Sequence, residues 1–137
     1  MAGINDPDEI ARALKTAKTI AVVGCSPEES RPSNAVARYL LRAGYDVIPV
    51  NPGHGEMLGR PCYPDLASIP KDVRVDIVDV FRRPVFVPDI AAAALARGAG
   101  FFWMQDGVVD EEAARRLTAA GIPVAMDRCI FRDHSLL

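Results

Sequence analysis

Thr19-Ile20-Ala21-Val22-Val23-Gly24-Cys25-Ser26 is the stretch whose reading decides the fold. Its first five residues are almost wholly apolar, with no alternation of polar side chains. A short apolar run of this kind, closed by glycine, fits a strand buried on both faces, as in a parallel sheet covered by helices. Upstream, Asp6-Pro7-Asp8-Glu9 predicts a helix start: Asp6 caps, Pro7 takes the first helical position, and two acids meet the positive end of the helix dipole. Ile10, Ala13, Leu14 and Ala17 follow at helical spacing. Downstream, a loop with Pro27 and Pro32 leads into a helix of roughly Ser33 to Ala43, with Ala35, Val36, Tyr39 and Leu40 on one face and Gly44 at its end.

The same alternation continues to the C-terminus. Tyr45 to Asn51 reads as a second strand, and its Pro49, which lacks a ladder donor, predicts an edge or irregular position. Asn51 to Gly55 reads as a loop, Gly59 to Pro64 as holding a very short strand, and Asp65 to Ile69 as one helical turn. Val73 to Phe81 is a third strand, interrupted by Asp76 and Asp79; a helix follows from Arg83-Pro84 to about Arg97. Gly100 to Gln105 is a strand, Asp110 to Ala120 a helix and Ile122 to Met126 a last short strand. The expected fold is therefore α/β: one domain over residues 1–137, a Rossmann-like, doubly wound parallel sheet of about five to six strands with helices on both faces.

Composition narrows the function. The chain is half apolar and a quarter charged, which is ordinary for a globular protein with a real core. Its net charge of −2, with both signs mixed along the chain, disfavours nucleic acid as a partner. Apolar runs such as Ile20 to Val23 are far too short to cross a bilayer, and the N-terminus has no signal-peptide pattern. Cys25, Cys62 and Cys129 form no Cys-x-x-Cys pair, so neither a disulfide framework nor a zinc site is indicated. The expectation is a cytoplasmic protein with reduced thiols.

In open parallel sheets ligands bind beyond the carboxyl ends of the strands, so the residues just after each strand carry the functional reading. Gly24-Cys25-Ser26 feeds a helix N-terminus suited to a phosphate: Gly24 permits close approach, Ser26, Ser30 and Ser33 offer hydroxyls, and Arg31 offers a charge-assisted bond. A polar turn whose serines cap the helix is the alternative. The dinucleotide fingerprint is absent, with only Gly24 of its three glycines, and Val50-Asn51-Pro52 stands where an NAD site wants an acid. No Walker lysine motif is present either. Arg82 and Arg83 beside Phe81 suit phosphate pairing or purine stacking. Gln105 suits an amide or adenine edge, Gly107 permits backbone approach, and Trp103 reads as core.

Taken in order, these segments resemble the small CoA-binding-domain proteins, which are similar to the CoA-binding domain of the succinyl-CoA synthetase α-subunit. The matching stretches are Ile20 to Ser26, Ser30 to Ser33, Val47 to Pro52, Asp79 to Arg83, Trp103 to Val108 and Asp127 to Cys129. The resemblance implies coenzyme A, or an acyl-CoA, held across the strand ends. It implies Gly24, Ser26, Arg31 and Ser33 at phosphates, Asn51 and Pro52 beside the nucleotide, Phe81 and Arg82 at the adenosine or pyrophosphate, and Gln105 and Gly107 toward the pantetheine. The family usually has alanine where this chain has Cys25, which offers a second thiol near the ligand or a small core residue.

Chemistry, if any, is expected from Asp127-Arg128-Cys129 and His134. A thiol beside cations is activated, and His134 is a candidate base for it; a structural Asp127–Arg128 ion pair and a buried cysteine are the plainer alternative. The leading expectation is a binding or regulatory module without a reaction of its own. The alternatives are an acyl-CoA-handling enzyme using Cys129, a protein storing CoA as a mixed disulfide on Cys25 or Cys129, and a site for another phosphorylated nucleotide such as NADP. Phe101 to Trp103 and the apolar tail from Ile130 suit either a core or a homodimer face.

Overall fold

The structure, a computed structural model, describes residues 2–137. Helix α1 (Pro7–Thr16) begins where Asp6 accepts the backbone N–H groups of Asp8 and Glu9 at 2.9 and 3.1 Å. It is followed by β1 (Thr19–Val23), α2 (Pro32–Arg42) and β2 (Asp46–Val50). A small hairpin of β3 (Glu56–Met57) and β4 (Arg60–Pro61) comes next, then a 3-10 turn at Leu66–Ser68 and β5 (Ile77–Val80). A second 3-10 turn (Pro84–Phe86) runs into α3 (Val87–Arg97); β6 (Phe101–Met104), α4 (Glu111–Ala119), β7 (Val124–Ala125) and α5 (Ile130–Ser135) complete the chain.

The main sheet is five-stranded and parallel, in the order β2-β1-β5-β6-β7. The α/β Rossmann-like expectation is thus what the chain forms. Strand alternation divides the core in two. Ala21, Val23, Val78, Val80, Phe102 and Met104 pack against α3 and α4, while Ile20, Val22, Ile77, Phe101 and Trp103 pack against α1, α2 and α5. Each strand buries side chains on both faces, which is why the strands read as continuous apolar runs. Pro49 lies on the edge strand β2, whose outer rim is closed by Tyr63 through Tyr63 N–H to Pro49 O (3.2 Å) and Asn51 N–H to Tyr63 O (2.9 Å).

Three elements depart from the sequence expectation. β5 is four residues, shorter than Val73 to Phe81, because the residues before it act as a clasp: the Asp76 carboxylate accepts the N–H groups of Lys18 and Thr19 at 2.9 and 3.0 Å and pairs with Arg74. Burial raises the Asp76 pKa, but those hydrogen bonds prevail and hold it below the ordinary carboxylate value. The helix after Arg83 opens with a 3-10 turn before α3, consistent with Pro84 and Pro88 each lacking an N–H. The very short strand expected within Gly59 to Pro64 is β4, but its hairpin partner β3 was not expected; each is two residues, too short for periodicity, and Leu58-Gly59 turn with φ +56° and +70°, the geometry of a type I′ turn.

Candidate ligand-binding site

Because β1 lies between β2 and β5, the chain leaves β1 to one side and returns on the other, and the carboxyl ends of β1 and β5 form the switch point where such sheets bind ligands. Gly24 stands at that point with φ +87°. A Cβ there would lie 2.5 Å from the carbonyl oxygen of Phe81, so the glycine lets the loop after β1 sit directly against the end of β5. The loop is then tied down from every side. Ser26 N–H donates to Ser33 Oγ (2.9 Å), Asn34 Nδ2 to Ser26 O (2.8 Å), and Asn51 Nδ2 to Cys25 O (2.8 Å).

A groove of about 490 Å³ opens across the strand ends beside this loop. Pro32 and Val36 of α2 form one wall; Phe81 to Pro84 after β5, Gln105 to Val108 after β6, and Cys129 after β7 form the rest. Phe86, although outside the groove itself, organises its cationic end. The Arg82 guanidinium lies 4.0 Å from the Phe86 ring centroid and that of Arg83 lies 5.5 Å away. Neither arginine enters an ion pair among the described residues. Two guanidinium groups without carboxylate partners make this end receptive to an anion. Arg82 also borders a second hollow of about 170 Å³, lined mainly by apolar groups including Pro52, Pro64, Leu66 and Ile90.

At the other end, Gln105 is 4% exposed. Its Oε1 accepts the N–H of Ile130 at 3.0 Å, which fastens α5 to the end of β6, while its amide nitrogen has no hydrogen-bond partner among the described residues. Gly107 N–H donates to Asp127 Oδ1 at 2.7 Å. Cys129 is partly exposed, the other two cysteines buried.

Residues 18–135 match the family model described as CoA binding domain. The chain belongs to the CoA-binding-domain family. This CoA-binding domain is 42% identical over 128 residues to the uncharacterized protein YneT of Bacillus subtilis, with 93% of each chain covered. A hypothetical protein from Pyrococcus horikoshii superposes with a TM-score of 0.90 at 38% identity, covering 96% of this chain and 92% of that one. A segment of 63 residues is 40% identical to the ADP-forming acetate–CoA ligase I of Archaeoglobus fulgidus, covering 46% of this chain and 9% of the ligase.

Within the CoA-binding domain, the residues singled out from sequence divide into two groups. Phe81, Arg82, Gln105, Gly107 and Cys129 come together in the groove, and Pro52 borders the hollow beside Arg82. Gly24, Ser26, Ser33 and Asn51 shape and hold the loop after β1 and do not line the groove, and Arg31 is exposed and paired with Glu28 at 3.2 Å. Cys25 offers no second thiol to a ligand: it is fully buried, and burial, then Cys62 and Asp79, push its pKa up to about 12. Asp127 and Arg128 are not paired with each other. Arg128 forms a bidentate bond to Asp133 at 2.8 Å, while Asp127 holds Gly107. The imidazole of His134 meets the Tyr39 hydroxyl at 2.6 Å and makes no hydrogen bond to Cys129, so the structure contains no Cys129–His134 dyad. Phe86 was missed in the sequence, although its three- and four-residue spacing from Arg83 and Arg82 is the helical-turn spacing that brings side chains together.

Proposed function

We propose that this domain binds coenzyme A across the carboxyl ends of β1, β5, β6 and β7 and serves as a binding or regulatory module without a reaction of its own. Family membership supports the ligand class. The observation that carries the reading onto this chain is the pair of unpaired guanidinium groups, Arg82 and Arg83, at one end of an otherwise largely apolar groove. In this reading the two arginines meet the pyrophosphate. The adenosine occupies the apolar hollow bordered by Pro52, Pro64 and Ile90, where Arg82 is shared with the main groove. The pantetheine arm runs past Phe81 and Val108 toward Gln105, whose free amide donor suits an amide carbonyl. Gly24, Ser26, Ser33 and Asn51 set the shape of the loop that flanks the phosphates.

His134, the base expected for Cys129, is engaged by Tyr39, which supports binding over acyl transfer through a Cys129–His134 pair. Isothermal titration calorimetry tests the proposal. Saturable heat with one CoA per chain is expected, and stronger binding of CoA than of NADP. No heat at high micromolar CoA removes the reading, and tighter binding of NADP replaces it with a dinucleotide site.

A further inference from the structure

We infer that Cys129 is a covalent docking point for the thiol end of CoA: by exchange with the disulfide form of CoA it takes one CoA into a mixed disulfide lying in the groove. This rests on the CoA reading above and adds to it a redox-dependent mode of holding the ligand. The basis is the order of chemical groups across the sheet. β5, β6 and β7 are neighbours, and the chain after each brings a different group to the groove: two cations at Arg82 and Arg83, the Gln105 amide beside an Asp106 that is paired with Arg132, and a thiol at Cys129. β6 lies between β5 and β7, so the amide comes between the cations and the thiol in order across the sheet. CoA carries its groups in the same order: a pyrophosphate, an arm with two amides, and a terminal thiol.

Gln105 supports the assignment independently of the cysteine. It is 4% exposed, its oxygen is engaged by Ile130, and its amide nitrogen has no partner among the described residues although the residue lines the same groove as Cys129. That nitrogen is not sealed in the core, so the donor stays open toward the groove and suits an acceptor that a ligand brings. Cys129 is also the one cysteine of the three that is not buried, which leaves Cys25 and Cys62 out of reach.

The step is an exchange with no net oxidation of the pair. Deprotonated Cys129 Sγ attacks one sulfur of CoA disulfide, the CoA–CoA S–S bond breaks, and a Cys129–CoA S–S bond forms. The second CoA leaves as a thiolate and takes up the proton that Cys129 lost.

The test is incubation of the full chain with CoA disulfide, followed by intact-mass measurement and non-reducing tryptic mapping, beside calorimetry with reduced CoA. One CoA is expected to add, on the peptide Cys129 to Arg132, and to leave on treatment with dithiothreitol. Glutathione disulfide at the same concentration is expected to react at least tenfold more slowly. A protein that binds reduced CoA but gains no adduct overturns the inference and leaves the CoA reading standing. An adduct on Cys25 or Cys62, or equal rates with glutathione disulfide, also overturns it. Neither heat nor adduct overturns both.

Discussion

Gly24 and Asp79 each carry a constraint that their neighbours in sequence do not explain. Glycine at 24 looked like a concession to a phosphate, yet the close atom is the Phe81 carbonyl oxygen, 2.5 Å from where a Cβ would be. Gly24→Ala combines that contact with a left-handed φ of +87°, which alone costs a non-glycine residue about 1–2 kcal/mol. A urea denaturation midpoint lowered by more than that cost accounts for is the expected result, and an unchanged midpoint would contradict the packing. Asp79 is completely buried on β5, and neither carboxylate oxygen has a partner among the described residues. Burial raises its pKa well above the usual carboxylate value. The folded state therefore holds a proton that the unfolded chain releases near pH 3.9, and stability falls as pH rises from there toward the elevated folded pKa, by about 1.4 kcal/mol per pH unit. Asp79→Asn removes that slope. The stability difference between variant and parent should grow steadily in the variant's favour from pH 4 upward; a difference that stays flat with pH would show that Asp79 is not the group titrating.

Helices were the most legible elements, because their ends are written in capping residues. Asp6 and Asp110 cap α1 and α4 as their sequence positions suggest, with Asp110 accepting Ala113 N–H at 3.0 Å. Asp110→Ala should lower stability by about 1 kcal/mol, read as a shifted denaturation midpoint with CoA binding retained. The turn after β5 is the element on which the proposed CoA binding rests. Its 3-10 geometry sets Phe86 under both guanidinium groups, and neither has an acidic partner among the described residues. Hydrogen bonds to charged groups contribute about 1.5–3 kcal/mol, so Arg82→Ala and Arg83→Ala should each weaken CoA by roughly 10- to 100-fold in calorimetry, with the thermal midpoint little changed. Affinity equal to the parent's in both variants would remove the phosphate assignment. By contrast, β3 was invisible as an element, since two residues contain no period to read, and β4 was legible only as a very short strand somewhere within Gly59 to Pro64.

At the scale of the whole molecule, a ligand that binds only the folded chain must stabilise it. At a free CoA concentration 100 times Kd the gain is about 2.7 kcal/mol, visible as a rise of several degrees in the thermal midpoint. Adenosine alone, reaching only the hollow beside Arg82, should give a smaller rise; no rise with CoA would contradict a folded binding site. The amino-acid sequence by itself determined that strands and helices alternate and that the strands are buried on both faces. Those are properties of neighbouring residues: apolar runs such as Ile20 to Val23, caps such as Asp6, breaks such as Gly44. Tertiary structure alone decided which strand ends are neighbours, that Gly24 lies against Phe81, that Arg82 and Arg83 find no acidic partner among the described residues while Arg128 is taken by Asp133, and that His134 faces Tyr39. Such contacts join residues brought together by the crossing of helices over the sheet, and spacing along the chain does not encode which partner a side chain finds.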